Sequence, residues 1–221
     1  QKTPYGEVPS QPEVRAEAPE FLKKEPAKLG IILGGGGALS YAQIGFLQEV
    51  ESQKIDIHSI RGVEWGALVA GAYSMERKAH SVEWSLLKLP VNKFNQSGFF
   101  TSGGKKAKVS DFNKFLSGVF KTKRFSNTAI PYDCTFVHIS KQRVGVRSSG
   151  QLKNAVRACW ALPPHFSVDV VGANPMGIAE VAKHLRSKGA DVIIYGDVVS
   201  KNSILKGKMG DSSNALMWVA Q

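Results

Sequence analysis

The chain holds 221 residues, 43% of them hydrophobic and 9% aromatic, proportions that suit one well-packed core and exclude bulk disorder. No apolar run is long enough to cross a bilayer as a helix. Its 29 Lys and Arg against 18 Asp and Glu give a formal charge of +11, which favours an anionic partner, nucleic acid or an acidic membrane surface, without choosing between them.

Residues 1–28 carry five of the ten prolines, and their five basic residues balance five acidic ones. Such a segment cannot bury enough apolar surface to offset the entropy of ordering it, so an extended tether is expected. The chain starts at Gln1, as a processed or trimmed product would, and the tether suits a lipoprotein of the bacterial cell envelope; a tail with no anchoring role reads equally well. A single domain is expected over 29–221. An apolar run at 29–33 predicts a buried strand, the glycines Gly34, Gly35, Gly36 and Gly37 a turn, and the spacing of Tyr41, Ile44, Leu47 and Val50 a helix. A strand over 55–63 and a helix over 65–75 repeat the unit. Two strand-turn-helix units in succession predict an α/β domain with a largely parallel sheet.

Composition changes over 88–125. Nine basic residues, Lys88, Lys93, Lys105, Lys106, Lys108, Lys114, Lys121, Lys123 and Arg124, stand against the single acid Asp111, so this stretch supplies +8 of the +11. Seven of the eleven phenylalanines lie here too, and Phe112, Phe115, Leu116, Val119 and Phe120 make one face of a helix that Ser110 is placed to cap. Packing on the sheet explains the stripe. It does not explain one-sided charge, which suits a helical cap segment meeting an anionic membrane better than an indifferent surface of mixed signs. Nucleic acid is not expected, since no helix-turn-helix, zinc finger or RRM pattern is present.

Strands are predicted over 134–139, 143–147 and 191–195, and helices over 151–161 and 176–187. Cys134 and Cys159 lack C-x-x-C spacing and fall in apolar segments, so they read as core residues and not as a disulfide framework. His58, His80, His138, His165 and His184 show no ligand spacing, and neither metal nor cofactor is expected.

Glycines between a strand and a helix let backbone N–H groups approach an anion or oxyanion. No Gly-Lys-Ser or Gly-Lys-Thr follows, and the dinucleotide pattern G-x-G-x-x-G fails because Leu39 or Ser40 stands at its third glycine. The second turn, Gly62-Val63-Glu64-Trp65-Gly66, has the strand-to-helix setting of the nucleophile elbow G-x-S-x-G, with Glu64 where serine would be.

On these residues the chain resembles the patatin-like phospholipase family. The stretch 33–47 is similar to that family's oxyanion block, usually G-G-G-x-R-G and a helix, and the similarity continues through 62–73, 152–163, 173–176 and 189–198. The resemblance implies a three-layer α/β sandwich, with helices on both faces of a largely parallel sheet. It also implies a serine and aspartate dyad whose oxyanion is held by the glycine turn. Gly34, Gly35, Gly36, Gly37, Ala38, Leu39 and Ser40 match that turn, with Leu39 and Ser40 where the family has Arg and Gly. Gly62, Glu64, Trp65 and Gly66 match the elbow, and Asp169, followed by Val170 and Val171 instead of glycine, is the candidate for the dyad aspartate.

A carboxylate is a poor nucleophile toward esters and puts negative charge where an oxyanion must form. The expectation is a catalytically inactive patatin-like protein that binds lipid or serves as a scaffold at a membrane, its partner an anionic phospholipid surface or a protein. Two alternatives stand beside it. One is a lipid acyl hydrolase with a displaced nucleophile, Ser40 being the hydroxyl nearest in sequence to the turn. The other is an anion- or nucleotide-binding module on the glycine turn.

Overall fold

Every residue of the run LGIIL is buried, the pattern of a strand covered on both faces, and Leu29–Leu33 forms strand β1. The computed structural model describes residues 26–89, 109–138, 141, 143–160, 170–171 and 177–198. Within them β1 is joined by β2 (Ile57–Val63), β3 (Tyr132–His138), β4 (Arg143–Arg147), β5 (Val170–Val171) and β6 (Val192–Gly196). The strand order is β4-β3-β2-β1-β6, with β5 paired to β3 off this path. The β1–β2, β1–β6 and β2–β3 ladders are parallel; β4 and β5 lie antiparallel to β3.

Helices cover both faces. On one side α1 (Ala42–Ser52), α2 (Trp65–Glu76), α3 (Ala79–Leu87), α4 (Val109–Phe120) and α5 (Leu152–Trp160) share a core in which Leu47, Leu68, Leu86, Phe112 and Val156 meet Ile31 and Ile60. On the other, Val181 and Leu185 of α6 (Gly177–Ser187) pack on Ile32 and Val63. Helix–sheet–helix layering around a largely parallel sheet is the expected architecture. Beneath α6, Arg61 and Asp133 form a buried ion pair across β2 and β3, with a second contact from Arg61 Nη2 to Asp133 Oδ2 at 2.7 Å.

The chain runs repeatedly between two ends of this sheet. β1 and β2 lead to the end that carries the glycine turn and Glu64, and α2 returns to the other, where Ser74 O accepts the N–H groups of Ala129 and Ile130 just before β3. α5 climbs back and brings Trp160 against Trp65. α3 climbs too: Ala79 N–H meets Glu51 at the end of α1, and Tyr41 Oη donates to Leu86 O at 3.0 Å beside the glycine turn.

Several expectations need correction. Ser110 is the second residue of α4 and not its cap, because the helix already includes Val109. Cys134 and Cys159 are fully buried, as core residues, and are also bonded to each other in a disulfide with a Cα–Cα distance of 5.9 Å. The pairing is nonlocal: it follows from α5 lying on β3, which a separation of 25 residues does not announce. The phenylalanine face of α4 is core, since Phe112, Phe115 and Phe120 are buried and Phe112 and Phe115 pack on Trp160. α3 and β5 were not foreseen. The tether falls almost wholly outside the described residues, as do Lys93, Lys105, Lys106, Lys108 and Asp169.

Candidate functional site

Leu33 and Gly62 are register partners in the β1–β2 ladder, so the glycine turn and the elbow, remote in sequence, leave the sheet side by side. The first turn of α2 then packs directly on the end of β1. A Cβ on Gly66 would lie 2.1 Å from the Leu33 carbonyl oxygen, and one on Gly62 would lie 2.2 Å from Ala67 Cα. Both obstacles are backbone, so neither can move aside cheaply. Gly66→Ala is therefore expected to lower the urea midpoint by an amount equivalent to about 1–3 kcal/mol, the usual cost of overpacking; an unchanged midpoint would show that the junction is loose.

Glu64 caps β2 with φ 51 and ψ −123, a sparsely populated conformation for a side-chain-bearing residue and the kind of strained turn that aims a side chain outward from a strand end. Its side chain makes no capping hydrogen bond to α2, where Ala67 N–H instead donates to the Glu64 backbone oxygen at 2.9 Å. The carboxylate turns to the glycine turn, and the Gly36 N–H pulls its titration down. It lies against Gly35, where a Cβ would come within 2.1 Å of Glu64 Oε2. Burial pushes the Glu64 carboxyl up to about 7, against the opposing pull of the Gly36 hydrogen bond. The Glu64 carboxylate thus fills the space beside the glycine turn.

The turn itself is held from behind. Gly34 N–H donates to Gly196 O at 3.1 Å, and the buried Gln43 amide donates to Gly34 O at 2.8 Å and Gly196 O at 3.3 Å. Gly36 and Gly37 take φ values of 143 and 60, which only glycine adopts readily. Beyond them the 3-10 turn Gly37–Tyr41 carries Ala38, then Leu39, 54% exposed, and Ser40, fully buried. The Ser40 hydroxyl has no hydrogen-bond partner among the described residues, so no base touches it there.

Two further side chains, Tyr195 and Asp197, belong to this end and carry no motif of their own in the sequence. Tyr195 Oη lies 2.6 Å from where a Gly34 Cβ would be, and burial, then Asp197, then Glu64 raise the Tyr195 phenol. Both follow from β6 ending beside β1; the rule that sites gather at the carboxyl ends of parallel strands would have pointed to 195–197. Trp65, next to Glu64, packs edge-on to Trp160 with ring centroids 4.7 Å apart. Among the described residues no three His, Cys, Asp or Glu side chains converge as metal ligands.

A family model described as patatin-like phospholipase matches residues 31–184. The chain belongs to the patatin-like phospholipase family. It is 29% identical over 208 residues to Lysophospholipase NTE1 of Phaeosphaeria nodorum, an alignment covering 83% of this chain and 13% of that protein. To patatin-like phospholipase domain-containing protein 7 of Mus musculus it is 27% identical over 214 residues, covering 86% of this chain and 15% of the relative. The chain therefore spans about a seventh of the length of these relatives. Among solved structures, ExoU from the type III secretion system of Pseudomonas aeruginosa aligns at a TM-score of 0.42 and 12% identity, over 77% of this chain and 48% of that one. The patatin-like assignment gives the site its frame: a lipid-hydrolase family, with a glutamate at the turn between β2 and α2 in this chain.

The basic residues expected to gather around the site divide in the described part of the chain. Lys88 follows α3 at the Glu64 end, and Lys114 is exposed along α4. Lys121, Lys123 and Arg124 follow the C-terminus of α4 at the opposite end, where Lys123 O accepts the Leu152 N–H at the start of α5.

Proposed function

We propose that this chain is a patatin-fold pseudoenzyme, a lipid- or membrane-associated binding or scaffold protein without ester hydrolase activity. The observation that carries the reading is the Glu64 carboxylate on the elbow, lying against Gly35 of the oxyanion turn. An ester carbonyl entering there would meet a carboxylate in place of a hydroxyl nucleophile, and its developing negative charge would face that carboxylate across the glycine turn. Ser40 offers no substitute, being buried and without a base in contact among the described residues.

Purified protein is expected to release no fatty acid from phospholipid or p-nitrophenyl esters and to resist a serine-reactive fluorophosphonate. Glu64→Ser is expected to restore little, because Leu39 and Ser40 still stand where the family has Arg and Gly. Wild-type hydrolysis that disappears on changing Glu64 overturns the reading, and fluorophosphonate labelling at Ser40 would establish a displaced nucleophile. The Cys134–Cys159 disulfide supports an oxidising compartment, which in this reading is the bacterial cell envelope.

A further inference from the structure

The geometry points to an apolar rim, made by Leu39, Trp84 and Leu87 at the Glu64 end of the sheet, that docks on an anionic lipid surface. The inference rests on the lipid-associated reading above and gives it a face. Large hydrophobic side chains are rarely left in the open together, and these are 54%, 57% and 62% exposed. Leu39 stands on the 3-10 turn that leaves the glycine turn. Trp84 and Leu87 are three residues apart on α3, hence on one side of that helix. Tyr41 holds the two elements together through its 3.0 Å hydrogen bond to Leu86 O, on the last turn of α3. The rim thus borders the turn where the Glu64 carboxylate sits.

The chemistry of the rim selects the occupant. Trp84 donates its indole N–H to His80 Nε2 at 2.6 Å, which satisfies its one polar atom and leaves the ring exposed; an aromatic of this amphipathic kind settles at a headgroup boundary. The neighbouring acid, Glu83, is engaged by Gln48 Nε2 at 3.4 Å and His80 Nδ1 at 3.5 Å. Immediately after Leu87 comes exposed Lys88, and the sequence from 88 to 108 holds five lysines and no acid. Apolar anchors beside exposed Lys88, on a chain of net charge +11, match an anionic bilayer, with apolar insertion and charge attraction adding. A second copy of the chain would bring like charge to like.

The test is co-sedimentation of the full chain with vesicles of phosphatidylglycerol and phosphatidylcholine, and with phosphatidylcholine alone. The wild type is expected to partition onto the anionic vesicles and to leave them as salt rises. The combined Leu39→Ser, Trp84→Ser and Leu87→Ser variant is expected to lose roughly tenfold or more in partitioning. Its melting temperature and circular dichroism should stay close to the wild type, since all three side chains are exposed. Lys121→Gln, Lys123→Gln and Arg124→Gln together, at the opposite end, are expected to change partitioning less than about twofold when the rim is the docking face. Partitioning of the rim variant equal to wild type overturns the inference while leaving lipid association intact. Lipid-free dimerisation that the rim variant abolishes also overturns it, making the rim an interface between copies. A wild type that binds neither vesicle removes the lipid-associated reading and the rim together.

Discussion

Glu64→Gln is expected to be about 3 kcal/mol more stable than the wild-type chain near pH 8 and of similar stability near pH 4.5. Burial raises the Glu64 carboxyl from its ordinary 4.5 to about 7 in the folded protein. Between those values the folded chain holds a proton that the unfolded chain has released. The stability Glu64 contributes is therefore complete below about pH 4.5 and declines as pH rises through about 7, beyond which it is flat. At about 1.4 kcal/mol per pH unit this decline amounts to about 3 kcal/mol. Glutamine keeps the shape of the side chain and a carbonyl oxygen beside the glycine turn but has no proton to lose, so it should escape the decline. Urea unfolding of both proteins across this range isolates the effect, because every other titrating group is common to the two. A pH-independent difference would mean that the carboxylate is solvated and does not press into the glycine turn.

That prediction rests on a residue the sequence exposes plainly. Glu64 is legible because a strand ending on Gly62 and Val63, a second glycine at 66 and an alanine-rich helix mark the strand-to-helix turn between them. β1 and the glycine turn are legible for the same local reasons. What the carboxylate does is not local: its contact with Gly35 and Gly36 exists only because β1 and β2 pair with Leu33 opposite Gly62. α3 escaped prediction because its outer face carries Trp84 and Leu87, which blur the contrast between buried and exposed positions that reveals a short helix. Arg61 lies inside the predicted strand 55–63, and nothing local in the sequence says which way its side chain goes. β2 is in fact covered on both faces, so the alternate side of the strand points beneath α6 and Arg61 is buried there with Asp133.

Asp133→Asn is expected to destabilise the protein by about 3–5 kcal/mol, the cost of leaving a buried cation without its counter-charge. Arg61 and Asp133 are 1% and 4% exposed. Arg61 donates to Asp133 through Nε and Nη2 in a bidentate pair and reaches Val181 O through Nη1 at 3.3 Å. Its remaining neighbour is His184 Nδ1, which must accept, so the imidazole is neutral with its proton on Nε2. Burial and then Arg61 lower the His184 titration below its ordinary 6.5, in keeping with that tautomer. Asparagine at 133 would leave three cationic or donor groups around a neutral amide. Lys188, by contrast, meets Asp133 Oδ2 at 3.1 Å from a side chain 44% exposed, so Lys188→Gln should cost less than about 1 kcal/mol. Replacing both partners, Arg61→Met with Asp133→Leu, should cost less than Asp133→Asn alone, because it removes the stranded charge along with the bond. A double variant less stable than Asp133→Asn would show that the polar network itself, and not the avoidance of an unpaired charge, holds α6 on the sheet.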